Sequence, residues 1–98
     1  MSTCTEFAVF EVKKVNLQRV ISLTESLVKE INAQHKNIIS HEILVKIDNE
    51  EEICWHFTWE SVAAVEVCAS KWSTYPSAQE LESLVDKKHY YAHFVSAL

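Results

Sequence analysis

The chain has 98 residues, room for a single domain over 1–98 and no second. Its 48% apolar and 23% charged residues are ordinary for a globular protein, and the chain has no repeat and no low-complexity segment. The net charge of −5, with no basic run, argues against nucleic acid or an anionic membrane as a partner, and no apolar stretch approaches the roughly 20 residues of a membrane span.

Residues Phe7 to Val12 are rich in β-branched and aromatic types and predict a strand. Asn16 is a good N-cap, and behind it Leu17, Val20, Ile21, Leu23, Leu27, Val28 and Ile31 recur at helical spacing to about Ala33 or Gln34. Ile38 to Ile47 predict a second strand, the acidic Asp48 to Glu52 a hairpin loop, and Ile53 to Trp59 a third strand. Ser61 caps a second helix carrying Val62, Val65, Ala69 and Trp72. Tyr75-Pro76 breaks it, because the residue before proline disfavours helix. Ser77 with Glu80 spells a capping box that restarts a short helix through Leu81, Leu84 and Val85, and His89 to Ser96 close the chain as a fourth strand. The order β-α-β-β-α-β predicts an α+β, ferredoxin-like fold with a four-stranded antiparallel sheet.

Glycine is absent and Pro76 is the sole proline, which excludes the glycine-dependent phosphate loops and dinucleotide fingerprints. Cys4, Cys54 and Cys68 are odd in number and share no C-x-x-C spacing. With an N-terminus, MSTCTEF, that lacks the parts of a signal peptide, they read as reduced thiols in a cytoplasmic protein. Cys54 and Cys68 read as inert core thiols, and Cys4 as part of a mobile tail.

Alternation along the strands assigns faces. A loop over 48–52 would pair Ile47 with Ile53, Val45 with Trp55, Ile43 with Phe57 and His41 with Trp59 on one face. Lys46, Leu44 and Glu42 would face Cys54, His56 and Thr58 on the other. The first and fourth strands are apolar on both faces, Phe7 and Val9 against Ala8, Phe10 and Val12, and Tyr90, Ala92 and Phe94 against Tyr91 and Val95. Helices cover one face of such a sheet, so a second copy of the chain is expected to cover the other, making a two-fold homodimer.

The span from FAVFEVK to HYYAHFVSAL resembles the dimeric α/β barrel superfamily, most of all its antibiotic-biosynthesis-monooxygenase-like domains. Its specific part is the strand ending FTWES, running directly into a helix and then the aromatic break KWSTYPSAQEL. The resemblance implies two sheets packed face to face in a dimeric α/β barrel, with a pocket between each sheet and its own helices. Members of that superfamily include oxygenases that use no metal or flavin, haem-degrading enzymes and proteins of no known activity, so the resemblance points to oxygenation of an aromatic or polyketide-like molecule or to no catalysis. The haem-degrading branch has an Asn on the first strand and a Trp and His on the second helical region; here the first strand lacks Asn and no His lies between Trp72 and Leu84.

Cofactor-independent oxygenation needs a base that makes a substrate carbanion, and an apolar pocket that excludes water. His41, on the apolar face, is the candidate base, and Trp55, Phe57, Trp59 and Trp72 are the candidate pocket lining. The bland alternative is that His41 hydrogen-bonds the edge of the core and the aromatics are plain core. His56 and Glu42, diagonal on the opposite face, read as a proton relay or as an ion pair at the dimer interface, with Glu11 a further member if its parity matches. His89 and His93, four apart on a strand, stand about 13 Å apart at roughly 3.3 Å per residue and cannot chelate one ion. A metal would need His93 with His56 or His41; no cofactor and no metal are expected. Two functions follow, an oxygenase of a small aromatic molecule or a non-catalytic, ligand-binding or structural homodimer.

Overall fold

In the computed structural model, which describes residues 2–98, β1 covers Cys4–Glu11, α1 Leu17–Ile31, β2 Ile38–Lys46 and β3 Asn49–Trp59. They are followed by α2 at Val62–Ser70, α3 at Pro76–Leu84 and β4 at Lys87–Val95, with short 3-10 turns at Lys14–Asn16 and Trp72–Thr74. The sheet is antiparallel throughout, in the order β2-β3-β1-β4. This is the ferredoxin-like α+β arrangement. Among the described residues, no helix is long and apolar enough to cross a membrane.

Period-two alternation builds the two faces. Cys4, Glu6, Ala8 and Phe10 of β1 and Ile53, Trp55, Phe57 and Trp59 of β3 are buried under the helices. From above, α1 lays Val20, Leu23, Leu27, Val28 and Ile31 on them as one stripe at helical spacing. Each such side chain, fully buried, stabilises the fold by roughly 1.5–3 kcal/mol, and Leu27 and Phe57 are enclosed almost completely. On the uncovered face, Leu44 stays 43% exposed, Tyr90 51% and Phe94 46%, beside half-buried Phe7 and Val9.

Three local details correct the sequence-based expectations. The hairpin turns at Ile47–Asp48, so β3 begins at Asn49 and Val45 faces Ile53, Ile43 faces Trp55 and His41 faces Phe57. That register is two residues away from the expected one, which leaves every side chain on its expected face. The acidic stretch is extended rather than looped because lysines neutralise it: Lys46 Nζ lies 3.6 Å from Asp48 and 3.8 Å from Glu52, and Lys14 Nζ 3.0 Å from Glu50.

The second detail is capping. Ser61 caps α2 as expected, its Oγ accepting from Ala64 N at 3.1 Å, whereas Asn16 makes no side-chain cap. The Ser77–Glu80 box does not form. Instead α3 starts on Pro76, and Ser77 donates its N–H (3.0 Å) and hydroxyl (2.6 Å) to the Glu30 carboxylate of α1. A carboxylate there complements the helix dipole and ties α3 to α1. Glu80 is drawn away to Arg19, whose Nε donates to it at 2.7 Å. Third, Cys4 is not in a tail. It opens β1 between Trp59 of β3 and Val95 of β4 and is 1% exposed.

Candidate functional site

Between the sheet and its own helices lies a partly open cavity of about 400 Å³. Its floor is Ala8 and Phe10 of β1 with Trp55, Phe57 and Trp59 of β3; its roof is Leu27, Ile31, Cys68, Trp72 and Leu81. The packing of these rings fixes its shape. Trp55 and Phe57 lie two residues apart on one strand face and stack with centroids 4.9 Å apart, 16° from parallel. Phe10, beside them on β1, meets Trp55 edge-on at 5.3 Å. Trp72 enters from the 3-10 turn Trp72–Thr74, beyond the end of α2 at Ser70 and not on that helix as the sequence suggested, and Tyr75 packs edge-on against it at 6.5 Å. The four aromatics singled out from the sequence, Trp55, Phe57, Trp59 and Trp72, therefore share one wall system. The volume suits a small flat molecule.

One buried acidic group stands in this apolar wall. Glu6 is 3% exposed, and its Oε1 accepts from Trp59 Nε1 at 2.9 Å and lies 3.3 Å from His93 Nε2 on β4. Burial pushes its carboxyl above the usual carboxylate range, against the opposing pull of the Trp59 hydrogen bond and of His93. His93 packs its ring edge-on against Tyr91, centroids 5.0 Å apart. Burial pushes the Tyr91 hydroxyl up to about 12, with help from the nearby Glu6, and burial beside Cys68 does the same to Tyr75. Both phenols stay protonated donors at neutral pH. Desolvation raises the thiols of Cys4, Cys54 and Cys68 as well, so these are thiols and not nucleophilic thiolates.

The other predicted residues lie elsewhere. His41 shares the helix-covered face but does not line the cavity. Its ring stands edge-on to Phe57 at 6.0 Å, and its Nε2 lies 2.8 Å from Glu25 Oε1 on α1. His56 and Glu42 occupy the uncovered face as directly opposed, not diagonal, residues, with Nδ1 3.0 Å from the carboxylate; the His56 ring stacks on Phe7 at 4.8 Å. Glu11 does not join them. It pairs with His89, which sits where a β-bulge interrupts the β1–β4 register. His89 and His93 thus bond glutamates that leave β1 on opposite faces. Among the described residues, Glu11, Glu52 and His89 form a group that could hold a cation, their ligand atoms lying within 4.8 Å of one another. That set differs from His93 with His56 or His41. Lys46 already lies beside Glu52.

Sequence reasoning passed over Glu6 and weighed His93 only as a metal ligand. A signal was available: Glu6 has the parity of Ala8 and Phe10, the stripe under the helices, where an acid is unexpected.

No family model and no curated protein matches the chain. Solved structures do. SnoaB of Streptomyces nogalater, a cofactor-independent oxygenase, superimposes with a TM-score of 0.74 at 14% identity, over 100% of this chain and 96% of that one. A Bordetella bronchiseptica protein described as a candidate antibiotic biosynthesis monooxygenase gives 0.75 at 12% identity, over 100% of both chains. A dimeric ferredoxin-like protein from an uncultured marine organism gives 0.71 at 14%, over 100% and 90%. The chain has the fold of antibiotic-biosynthesis-monooxygenase-like proteins. At these identities the likeness is one of fold, and the chemistry must be argued from this chain's own residues.

Proposed function

We propose that this protein is a small cofactor-independent oxygenase that takes a flat aromatic or polyketide-like molecule into the cavity between its sheet and helices. The observation that carries the reading is the cavity itself, about 400 Å³ walled by Trp55, Phe57, Trp59 and Trp72 around a single buried acid. Stacked indole and phenyl faces bind a planar ring system by area and by offset stacking, and they keep water from a reactive anion. Removal of a proton from an activated methylene leaves a carbanion whose electrons reduce dioxygen. The new carbon–oxygen bond forms as a peroxide, which loses water to leave a carbonyl. Dioxygen is the only oxidant, one of its atoms entering the product and the other leaving as water.

The same reading makes the working unit a homodimer joined through the uncovered sheet face, where Phe7, Val9, Leu44, Tyr90 and Phe94 form an apolar surface. A patch of this kind marks an interaction site. His41 is not carried forward as the base, because Glu25 holds its ring outside the cavity.

The test is oxygen uptake with anthrone, a flat tricyclic ketone with an acidic methylene, alongside native mass spectrometry of the purified protein. A dimer that consumes one dioxygen per anthrone, with Trp72→Ala impaired, is the expected result. A dimer that retains an aromatic mass yet turns over nothing would make the protein a binding module.

A further inference from the structure

The cavity carries one feature that an apolar binding pocket does not need, a carboxyl group taken out of water. Burying a carboxylate is unfavourable unless partners hold it, and here the partners hold only half of it. Oε1 receives the Trp59 indole N–H and faces His93 Nε2, while Oε2 has no hydrogen-bond partner among the described residues. Nor is Oε2 among the fully enclosed unpaired atoms, a condition met among the described residues by Trp55 Nε1 alone. Glu6 is itself part of the cavity lining. The acid is therefore fixed through one oxygen and open through the other.

We propose that Glu6 and His93 form a proton-accepting site in the cavity wall, and that the ligand it takes is a flat aromatic molecule bearing one acidic hydroxyl or enol. This rests on the cavity reading above and adds to it the group that makes the substrate anion. The donor must be single and directional. An ammonium brings three N–H groups that all need acceptors, and Oε2 is one oxygen in an apolar wall. A phenol or enol brings one O–H on a flat frame, which the stacked rings of Trp55 and Phe57 accommodate.

In the step itself the ligand's O–H bond breaks, its proton bonds to Glu6 Oε2, and the electron pair stays on the ligand as phenolate or enolate. The carboxyl then turns to bring that O–H to His93 Nε2, which now faces Oε1; the O–H bond breaks, the proton bonds to Nε2, and the imidazole, its side chain 23% exposed, passes it to solvent. Burial raises the carboxyl toward the working pH, as an efficient general base requires. The other titratable groups around Glu6 are the Cys4 and Cys68 thiols and the Tyr91 phenol, with Glu82 and Lys88 also in the cavity lining and paired to each other at 2.9 Å. The thiols and the phenol are held protonated by burial, which leaves Glu6 and His93 as the pair through which a proton can pass.

The test compares 1-naphthol with 1-methoxynaphthalene, the same flat frame without the O–H, by quenching of tryptophan fluorescence. The wild type is expected to prefer the naphthol by about 10- to 100-fold, the worth of a hydrogen bond to a charged acceptor. Glu6→Gln is expected to bind the ether unchanged and to lose that preference. The wild type alone gives an independent readout. Naphthol affinity should rise with pH as Glu6 ionises while affinity for the ether stays flat. Equal affinity for the two compounds, or a preference that survives Glu6→Gln, overturns the Glu6–His93 assignment and leaves the cavity standing. If neither compound quenches, the cavity reading fails and the assignment with it.

Discussion

The two faces of this sheet use the same residue types to opposite ends. Each carries histidine–glutamate pairs: Glu6–His93 and Glu25–His41 on the helix side, Glu42–His56 and Glu11–His89 on the uncovered side. Glu42 is 61% exposed at its side chain and its pair is screened by water, so it sets charge pattern more than stability. Glu6 is buried, and there burial raises the carboxyl against the pull of the same kind of contact, in the wall of a cavity. Burial, and not the pairing, separates a surface ion pair from a group with chemical potential. The apolar residues divide in the same way. Phe57 is a finished contact in one chain, whereas Leu44 and Phe94 stay 43% and 46% exposed, on the surface that the proposed dimer would cover.

The sharpest way to break this division is to cut each face separately. Phe57→Ala should cost about 3–5 kcal/mol in urea denaturation, since Trp55, His41 and the core residues around it cannot collapse into the space. A loss under 1 kcal/mol would mean that the helix side is not the packed core. Leu44→Lys with Phe94→Asp should leave the fold and ether binding intact and convert a dimer to monomer in sedimentation equilibrium. If the protein stays dimeric, its second copy docks elsewhere. If the monomer loses the cavity, the two faces are not separable.

Topology was legible in the sequence, as was the facing of β2 and β3, because both rest on period, two along Ile53 to Trp59 and 3.6 along Leu17 to Ile31. The facing of β1 and β4 was not, because both strands are apolar on both faces. Register was not. The acidic run Asp48 to Glu52 has the composition of a loop, but from Asn49 on it is a strand, paired through the backbone to β1 and β2 with Lys14 and Lys46 beside its carboxylates. The start of α3 was misassigned for a similar reason. Glu80 is three residues from Ser77, but Arg19 and Glu30 come from α1, 61 and 47 residues away in the chain. The aromatic wall could be named from strand parity and the break at Tyr75-Pro76. The acid beside it could not be weighed, because its two partners, Trp59 and His93, belong to β3 and β4.

Glu6 sets function against stability on the helix side. A carboxyl whose folded pKa is raised supports the fold fully below its unfolded value, and that support is lost as pH rises through the folded value. Wild-type stability should therefore fall with pH across that window, by about 1.4 kcal/mol for each pH unit by which burial raises the group. Glu6→Gln keeps an acceptor for Trp59 and has no charge to desolvate. It should be the more stable protein at neutral pH, by about 1 kcal/mol, and flat across the window, while losing oxygen uptake by about 10²- to 10⁴-fold. Urea titrations of both proteins from pH 4 to pH 8 read the difference. A destabilised Glu6→Gln would make the acid a structural group.

The smallest effect belongs to His41, and it is the most informative about how the helix side is divided. Its ring touches the core only through the edge of Phe57, and Glu25, which holds it, is half exposed. An edge-to-face contact contributes about 0.5–1.5 kcal/mol, and the exposed end of the pair is screened. His41→Ala should therefore cost less than about 1.5 kcal/mol in urea denaturation and leave oxygen uptake and the naphthol preference within about twofold of wild type. The Phe57 ring stands between His41 and the cavity, so a large loss of uptake with stability unchanged would mean that the proton reaches Glu25 and not His93. The line between core and site would then run through Phe57, and the Glu6 carboxyl would lie on the structural side of it.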